Sequence, residues 1–193
     1  IVCDSSDVSR LKLSLYNSTV HNCQGYGLKS VNSVVDVRNC QLTNALKDCA
    51  AIYGGAALLL NCTIAQFYPF DSNYGAALRF TNGENDGETK HDYPLHQMDC
   101  INSIVTCYAD DVMMGVVNDS TVAYNYRFIN SILRTDTVSD KENIQNVIWE
   151  NADSVDIDTV SGGEKNFRLV DSKKQHYDFH LRSASRAIGA AST

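Results

Sequence analysis

An adjacent pair of carboxylates is the first feature of the chain that could carry chemistry. Asp110 and Asp111 stand together in "YADDVMM". Carboxylates grouped on one sheet face can act as general acid and base or bind Ca²⁺. Neighbouring side chains of a strand point to opposite faces, so this pair needs a further carboxylate from an adjacent strand to form a site. Asp110 and Asp111 are therefore the catalytic candidates if the protein is an enzyme, and structural turn residues otherwise.

Histidines occur in two motifs that could bind a metal. His176 and His180 are four residues apart in "HYDFH", which on a helix would present one metal-binding face. We expect an extended strand here, where this spacing separates the side chains by about 13 Å, too far for one ion. "KHDYPLH", with His91 and His96, lies in the polar stretch 82–96, which we interpret as an insertion loop. The sequence therefore predicts no metal and no cofactor, and Ca²⁺ enters only with a lyase-like activity.

An outward-facing column of side chains is the candidate binding surface. Aligning "YGLKS", "AAIYG" and "AALRF" places Leu28, Ile52 and Leu78 inward and Lys29, Tyr53 and Arg79 outward. Three stacked side chains that hydrogen-bond and present flat faces would suit a sugar polymer or an acidic glycan. A solvated face of tolerant residues is the alternative interpretation.

The elements that position these side chains follow from a repeated phrase. "NSTV", "NCQL" and "NCTI" begin at Asn17, Asn39 and Asn61, at intervals of 22 residues. Two later copies, after insertions, carry Asn102 and Asn130. A recurring Asn at a bend can pass side-chain hydrogen bonds from one strand to the next, and this predicts an asparagine ladder.

Apolar residues flank each copy with the alternation of a β-strand. Four residues before the Asn stand Leu13, Val35, Ala57, Met98 and Tyr126, and three residues after it stand Val20, Leu42, Ile64, Val105 and Leu133. Strand-type alternation with a 22-residue period is typical of a solenoid in which each repeat forms one coil. We therefore predict an all-β parallel β-helix, a single-stranded solenoid of roughly five to seven coils.

Composition and charge exclude several classes of protein. The 193 residues are 44% hydrophobic, enough for one domain with a core. The net charge of −7 and the pI near 5.1 argue against a nucleic-acid partner. The apolar run 50–60 is too short for a transmembrane segment. The 17 Asn and 18 Asp against 5 Glu favour strands and turns over helices.

The seven cysteines contain no C-x-x-C pair, so a zinc site is not supported. Cys40 and Cys62 share a repeat position with Ser18, Ser103 and Ser131, which indicates a position for a small side chain. We expect Cys40 and Cys62 to be free thiols, because parallel Cβ vectors make a disulfide torsion awkward. The redox state of the other cysteines stays open.

Two segments carry a family resemblance. "DCAAIYGGAALLLNCTIAQFYPF" followed by "GAALRFTN", and the closing "NFRLVDSKKQHYDFHLRSASRAIGAAS", resemble right-handed parallel β-helix surface proteins of gut Bacteroidales, of the pectin-lyase-like superfold. Positions that match the closing motif are Phe167, Asp171, Asp178, Phe179, Leu181, Ser185, Ala187, Ile188 and Ala190; the departures are Arg186, Gly189 and Ala191.

The resemblance implies a right-handed β-helix over 1–166, with an insertion near 82–96, and a C-terminal cap over 167–193 that covers the edge of the last coil. It also implies a surface or secreted module that binds glycan or scaffolds a partner surface protein without catalysis. Export is expected, with a lipid anchor if a segment upstream of Ile1 carries one. Two alternatives stay open: a polysaccharide lyase or glycoside hydrolase of the superfold, and a fragment of a larger adhesin.

Overall fold

The protein is all-β. The computed structural model describes residues 1–4, 7–69, 75–85, 87, 89–108, 113–150 and 162–191. Within these ranges the only helical element is the 3₁₀ turn Gly163–Asn166. No helix in the described ranges has the length and apolar character needed to cross a lipid bilayer.

The strands are short and follow one another closely along the chain. They are β1 Val2–Asp4, β2 Leu13–Tyr16, β3 Thr19–Cys23, β4 Leu28–Arg38, β5 Gln41–Ala45, β6 Ala50–Leu60, β7 Thr63–Gln66, β8 Leu78–Thr81, β9 Gly83–Asn85, β10 Lys90–Asp92, β11 Leu95–Ile101, β12 Ile104–Cys107, β13 Met113–Val116, β14 Tyr124–Ile129, β15 Ile132–Leu133, β16 Ile144–Gln145, β17 Ile148–Trp149, β18 Phe167–Asp171 and β19 His176–Leu181.

Two parallel sheets contain most of these strands. In the described part of the chain, nine strands form one sheet with the main order β1-β4-β6-β11-β14-β16, to which β2, β8 and β13 add. Six strands form the other, in the order β17-β15-β12-β7-β5-β3. The chain passes between the two sheets repeatedly, and each pass pairs in parallel with the one before it. This topology is compatible with the predicted β-helix.

The register confirms the predicted alignment of the apolar columns. Leu13 pairs with Val35, Val35 with Ala57, Ala57 with Met98, and Met98 with Tyr126. The second column pairs in the same way across the six-stranded sheet, as Val20, Leu42, Ile64, Val105 and Leu133. These columns face the space between the two sheets, where they form the main hydrophobic core.

The nine-stranded sheet has two wings. The first wing contains β1, residues 28–31 of β4, residues 50–53 of β6, β8 and β13. The second wing contains β2, residues 33–38 of β4, residues 55–60 of β6, β11, β14 and β16. The wings meet where Asn32, Gly54 and Gly55 adopt positive φ. A Cβ at Gly55 would collide with the backbone of Ser33, so this bend requires glycine.

The repeated asparagines turn the chain from the second wing into the six-stranded sheet. Asn17, Asn39, Asn61, Asn102 and Asn130 all have φ between 50° and 54°. Among L-residues Asn tolerates this left-handed conformation best, which explains its recurrence. Amide hydrogen bonds also join rungs, from Asn39 Nδ2 to Asn17 Oδ1 and from Asn146 Nδ2 to Asn130 Oδ1, both at 3.2 Å. Asn146 is a further rung that sequence inspection missed.

A small hydrogen-bond donor follows each of the five asparagines that share the repeated phrase. The hydroxyls of Ser103 and Ser131 donate to the carbonyl oxygen two residues earlier, at 2.8 and 2.9 Å. The thiols of Cys40 and Cys62 donate to the equivalent carbonyls at 3.1 and 3.4 Å. All seven cysteines lie in the described ranges and are free, which confirms the expectation for Cys40 and Cys62.

The insertion and the closing segment differ from the sequence prediction. The stretch 82–96 contains the antiparallel hairpin β9–β10, and its last two residues already belong to β11. The closing segment forms the antiparallel hairpin β18–β19, and its described contacts are with the outer face of the six-stranded sheet, whereas we expected it over the edge of the last coil.

The outer face of the six-stranded sheet is apolar where the closing hairpin covers it. Phe67 lies beneath the hairpin, 6.2 Å from the Phe167 ring and 6.3 Å from the Phe179 ring. Ile104 and Ile132 extend the same buried cluster. Burial of these side chains therefore holds the hairpin on the sheet face.

Candidate functional site

The predicted binding residues share one face but not one row. Lys29, Tyr53 and Arg79 all point outward from the first wing. In the register, Lys29 pairs with Ala51, and Ala51 pairs with Arg79. Tyr53 lies two residues further along β6. The predicted stacking of the three side chains in a single column is therefore wrong, although all three belong to the same surface.

The wrong row for Tyr53 results from how the inward-facing residues of β4, β6 and β8 were aligned. Ala50, and not Ile52, pairs with both Leu28 and Leu78. Alignment by sequence favours the larger aliphatic residue Ile52, whereas β4 and β6 keep the 22-residue interval and place the smaller Ala50 opposite Leu28. Because side chains alternate with period two, a shift of two residues leaves Tyr53 on the outward face.

Lys29 sits between two tyrosine rings. Its Nζ atom is 5.5 Å from the centroid of the Tyr26 ring and 5.3 Å from that of the Tyr53 ring. The same ammonium forms a salt bridge with Glu84, on the hairpin β9–β10. Cation–π contacts at such distances typically stabilise by about 0.5–1 kcal/mol at partly exposed sites. The insertion hairpin thus helps to set the position of Lys29.

Arg79 is held by a buried carboxylate. Its Nε and an Nη atom lie 2.7 and 3.2 Å from the two oxygens of Asp48, which is only 3% exposed. Asp48 also accepts a hydrogen bond from the backbone N–H of Ala76 at 2.7 Å. The hydrogen bonds that Arg79 donates to Asp48 raise the pKa of its guanidinium. Asp48 therefore fixes both the Arg79 side chain and the chain entering β8.

A cleft of about 270 Å³ opens beside this pair, and we call it the tyrosine–lysine cleft. Its lining residues are Tyr26, Leu46, Lys47, Asp48, Tyr53, Gly75 and Arg79. Lys47 is exposed, with Nζ 5.2 Å from the centroid of the Tyr26 ring. Tyr53 is only 9% exposed, and burial raises the pKa of its hydroxyl, so that it stays protonated at neutral pH. The cleft thus combines aromatic surface with a fixed set of donors and acceptors.

The charges in this surface largely cancel. Lys29 is paired with Glu84 and Arg79 with Asp48, which leaves Lys47 as the exposed cation of the cleft. Neutralised pairs bind acidic ligands weakly but supply directed donors and acceptors for hydroxyl groups. The arrangement therefore favours an uncharged, hydroxyl-rich ligand over the acidic glycan that was the other expectation from sequence.

Sequence inspection missed Tyr26, Lys47 and Asp48, which lie in the turns that precede β4 and β6. Backbone hydrogen bonds pair these turns, from Lys47 N to Gly25 O and from Gly27 N to Asp48 O, both at 3.1 Å. Tyr26 and Asp48 consequently occupy the same repeat position. Extending the 22-residue interval into the turns would have brought them together.

Two carboxylates of the second wing share an outward row. Asp36 pairs with Leu58, and Leu58 with Asp99. Hydrogen bonds from Arg38 lower the pKa of Asp36. At Asp99 burial raises the pKa, but hydrogen bonds from Arg127 and Gln97 outweigh it and hold the pKa below the usual value. Both carboxylates are therefore ionised at neutral pH, and each is paired with an arginine.

None of the four histidines of the predicted metal motifs lines the cleft. Asp110 and Asp111 fall outside the described residues. His176 and His180 lie in β19, as the expectation of an extended strand required, while His91 lies in β10 and His96 in β11. Within the described ranges, no three His, Cys, Asp or Glu side chains are grouped closely enough to hold a metal ion.

No protein-family model, curated protein or solved structure matches the chain. Arguments about function therefore rest on the geometry of the sites described above.

Proposed function

We propose that the chain is a right-handed parallel β-helix module that is exported or displayed at a cell surface and binds an uncharged glycan without cleaving it. The tyrosine–lysine cleft is the proposed site, and a free glycan or a glycosylated surface protein is the proposed partner. The β-helix is supported by the parallel pairing of successive passes and by the 22-residue register.

The observation that carries the proposal is the Asp48–Arg79 pair beside tyrosine rings. Sugar hydroxyl oxygens accept hydrogen bonds, and the Arg79 guanidinium, whose side chain is 28% exposed, supplies donors that Asp48 holds in one orientation. The ring of Tyr26, which is half-buried, offers a flat apolar surface to sugar C–H groups. Because Asp48 is buried and hydrogen-bonded on both oxygens, this geometry is organised before ligand arrives, which lowers the entropic cost of binding.

The second wing supports binding over cleavage. A glycosidase needs one carboxyl that is protonated at working pH and able to deliver its proton. Asp36 and Asp99 share the outward row, yet their arginine partners lower both pKa values. Neither group can act as the acid at neutral pH.

A glycan array tests the proposal, run with and without Ca²⁺ and followed by mass spectrometry of the released material. Tyr26→Ala and Lys47→Ala are the informative variants, because both side chains reach the surface. Tyr53→Ala and Arg79→Ala would disturb folding, since Tyr53 is buried and Arg79 neutralises Asp48. Lys141→Ala, at an exposed lysine in the turn before β16, is the matched control.

We expect retention of neutral glycans, with affinity lowered about tenfold in Tyr26→Ala by loss of a stacking contact. The control should bind like the native protein. Release of shortened or unsaturated oligosaccharides would refute the non-catalytic proposal. Binding that is unchanged in Tyr26→Ala and Lys47→Ala would refute the cleft as the site.

A further inference from the structure

A second cavity lies beneath the closing hairpin and shares no lining residue with the tyrosine–lysine cleft. It has a volume of about 190 Å³ and separates the outer face of β3 and β5 from β19 and the turn before it. The lining residues are Thr19, His21, Asn22, Gln41, Thr43, Asn44, Gln175, Tyr177 and Phe179. We call this cavity the hairpin groove.

One wall of the groove contains a buried amide with an unused donor. Asn44 is 1% exposed, and its Nδ2 group has no hydrogen-bond partner in the described part of the chain. Its Oδ1 atom accepts a hydrogen bond from the backbone N–H of Phe67 at 2.9 Å. That contact fixes the orientation of the amide, because a flipped side chain would set its NH₂ group against the Phe67 N–H. The NH₂ group is therefore left without a partner, and buried donors without partners are rare.

The facing wall contains a second unused donor. The Tyr177 hydroxyl is buried and has no hydrogen-bond partner within the described ranges. The nearby Ser172 hydroxyl is already engaged with the Phe67 carbonyl at 3.2 Å and with the Tyr108 hydroxyl at 3.0 Å. Two residues that line the groove, from segments distant in sequence, thus each have a buried polar group without a partner in the described part of the chain.

The remaining surface of the groove is flat or uncharged. The rings of Tyr177 and Phe179 lie nearly parallel, with an interplanar angle of 2° and centroids 5.7 Å apart. Hydroxyl and amide side chains line the opposite side, including Thr19, Gln41 and Gln175. None of the described residues that line the groove is Asp, Glu, Lys or Arg. An ionic ligand would find no opposite charge here.

We propose that the hairpin groove binds one residue of an uncharged saccharide. Ligand hydroxyl oxygens accept hydrogen bonds from Asn44 Nδ2 and Tyr177 Oη, and the C–H face of the sugar ring lies against Tyr177 and Phe179. The volume equals that of roughly six water molecules in the liquid, far more than one structural water occupies. The proposed sugar site in the hairpin groove contains no residue of the tyrosine–lysine cleft, so either site could bind without the other.

Heteronuclear NMR tests this site directly. Glucose, galactose, mannose and N-acetylglucosamine are added in turn to ¹⁵N-labelled protein, and the side-chain NH₂ signals of Asn44 are followed. We expect one of these sugars to shift the Asn44 signals saturably, together with the backbone amides of Gln41 and Gln175. Tyr177→Phe should weaken that binding about two- to tenfold, as expected for one lost hydrogen bond.

A stability measurement separates a binding role from a structural one. The Tyr177 hydroxyl has no partner in the free protein, so Tyr177→Phe should leave the melting temperature unchanged or raise it. The same substitution should lower the affinity for the sugar. Tyr16→Phe, at an exposed tyrosine of the second wing, is the control and should leave sugar binding unchanged. Absence of an Asn44 shift with all four sugars, or equal affinity in Tyr177→Phe, would overturn the proposal. Shifts confined to the tyrosine–lysine cleft would also overturn it, while leaving the proposed function intact.

Discussion

The asparagine rungs allow a test of what holds each corner of the fold. Asn39 has φ of 52° and donates from Nδ2 to Asn17 Oδ1 at 3.2 Å. Asn39 thus has two roles: it tolerates the left-handed backbone conformation, and its side chain forms an amide hydrogen bond in the ladder. Asn39→Ala removes both, whereas Asn39→Gly removes the side chain but tolerates the backbone. The two substitutions therefore separate the roles.

The magnitudes follow from the geometry. A left-handed conformation costs an ordinary L-residue about 1–2 kcal/mol. The amide hydrogen bond lies at the surface, so its loss costs roughly 0.5 kcal/mol. Glycine avoids the backbone term but adds roughly 0.5 kcal/mol of unfolded-chain entropy. We expect Asn39→Ala to destabilise by about 2 kcal/mol and Asn39→Gly by about 1 kcal/mol.

Thermal unfolding followed by circular dichroism measures the difference. At this chain length 1 kcal/mol corresponds to about 2–4 °C, so Asn39→Ala should lower the melting temperature about twice as far as Asn39→Gly. Asn125→Ala is the control, because Asn125 donates an exposed hydrogen bond to His96 O at 3.1 Å from a strand position of ordinary φ. It should cost roughly 0.5 kcal/mol. Equal losses in Asn39→Ala and Asn39→Gly would refute the backbone argument and assign the corner to the amide ladder.

Three further outcomes follow from burial. In the native protein only Cys23 should react readily with a thiol reagent, because the other six cysteines are buried. Burial also raises the pKa of Cys62 to about 11. A second fast-reacting thiol would contradict this expectation. Phe67→Ala should destabilise by about 3–5 kcal/mol in urea titrations, whereas Leu169→Ala, 46% exposed on the closing hairpin, should change stability by less than about 0.5 kcal/mol. Burial raises the pKa of Glu150 above 4.5, so the folded state loses stability as pH rises from 4.5 through the higher value. Glu150→Gln should therefore be more stable than the native protein at neutral pH but not below pH 4.5, and parallel pH profiles would refute the assignment.

The regular part of the fold could be predicted because one interval controls it. The phrase around Asn39 recurs at the same distance on both sides, and the strands that flank it pair in that register. The 22-residue interval alone does not identify rungs that are separated by another number of residues. Asn146 escaped notice because it follows Asn130 by only 16 residues, in a pass of two short strands. The phrase itself still identified Asn102 and Asn130 after insertions, but Asn146 lacks it, because Val147 follows where the other copies have Ser or Cys.

The sites depend on contacts that periodicity does not encode. Asp48 meets Arg79 because Gly75 and Ala76, just before β8, pair with the turn that precedes β6, and the sequence before β8 carries no repeat. Asn44 and Tyr177 line one groove because the closing hairpin lies across the six-stranded sheet, a placement set by burial of Phe67 and the packing of Phe179 against it. Neither arrangement has a signature in local spacing.

Tyr53 shows which inference from a strand pattern is secure. Its predicted row was wrong by two residues, yet its face was right, because side-chain direction repeats every two residues and an even shift preserves it. The neighbours of a side chain change with any shift: Lys29 was expected beside Tyr53 in one row, and it reaches the Tyr53 ring diagonally from the adjacent row instead. A strand pattern can therefore nominate the surface on which a site lies. Which donor meets which acceptor on that surface depends on the register, and a single small residue such as Ala50 was enough to obscure it.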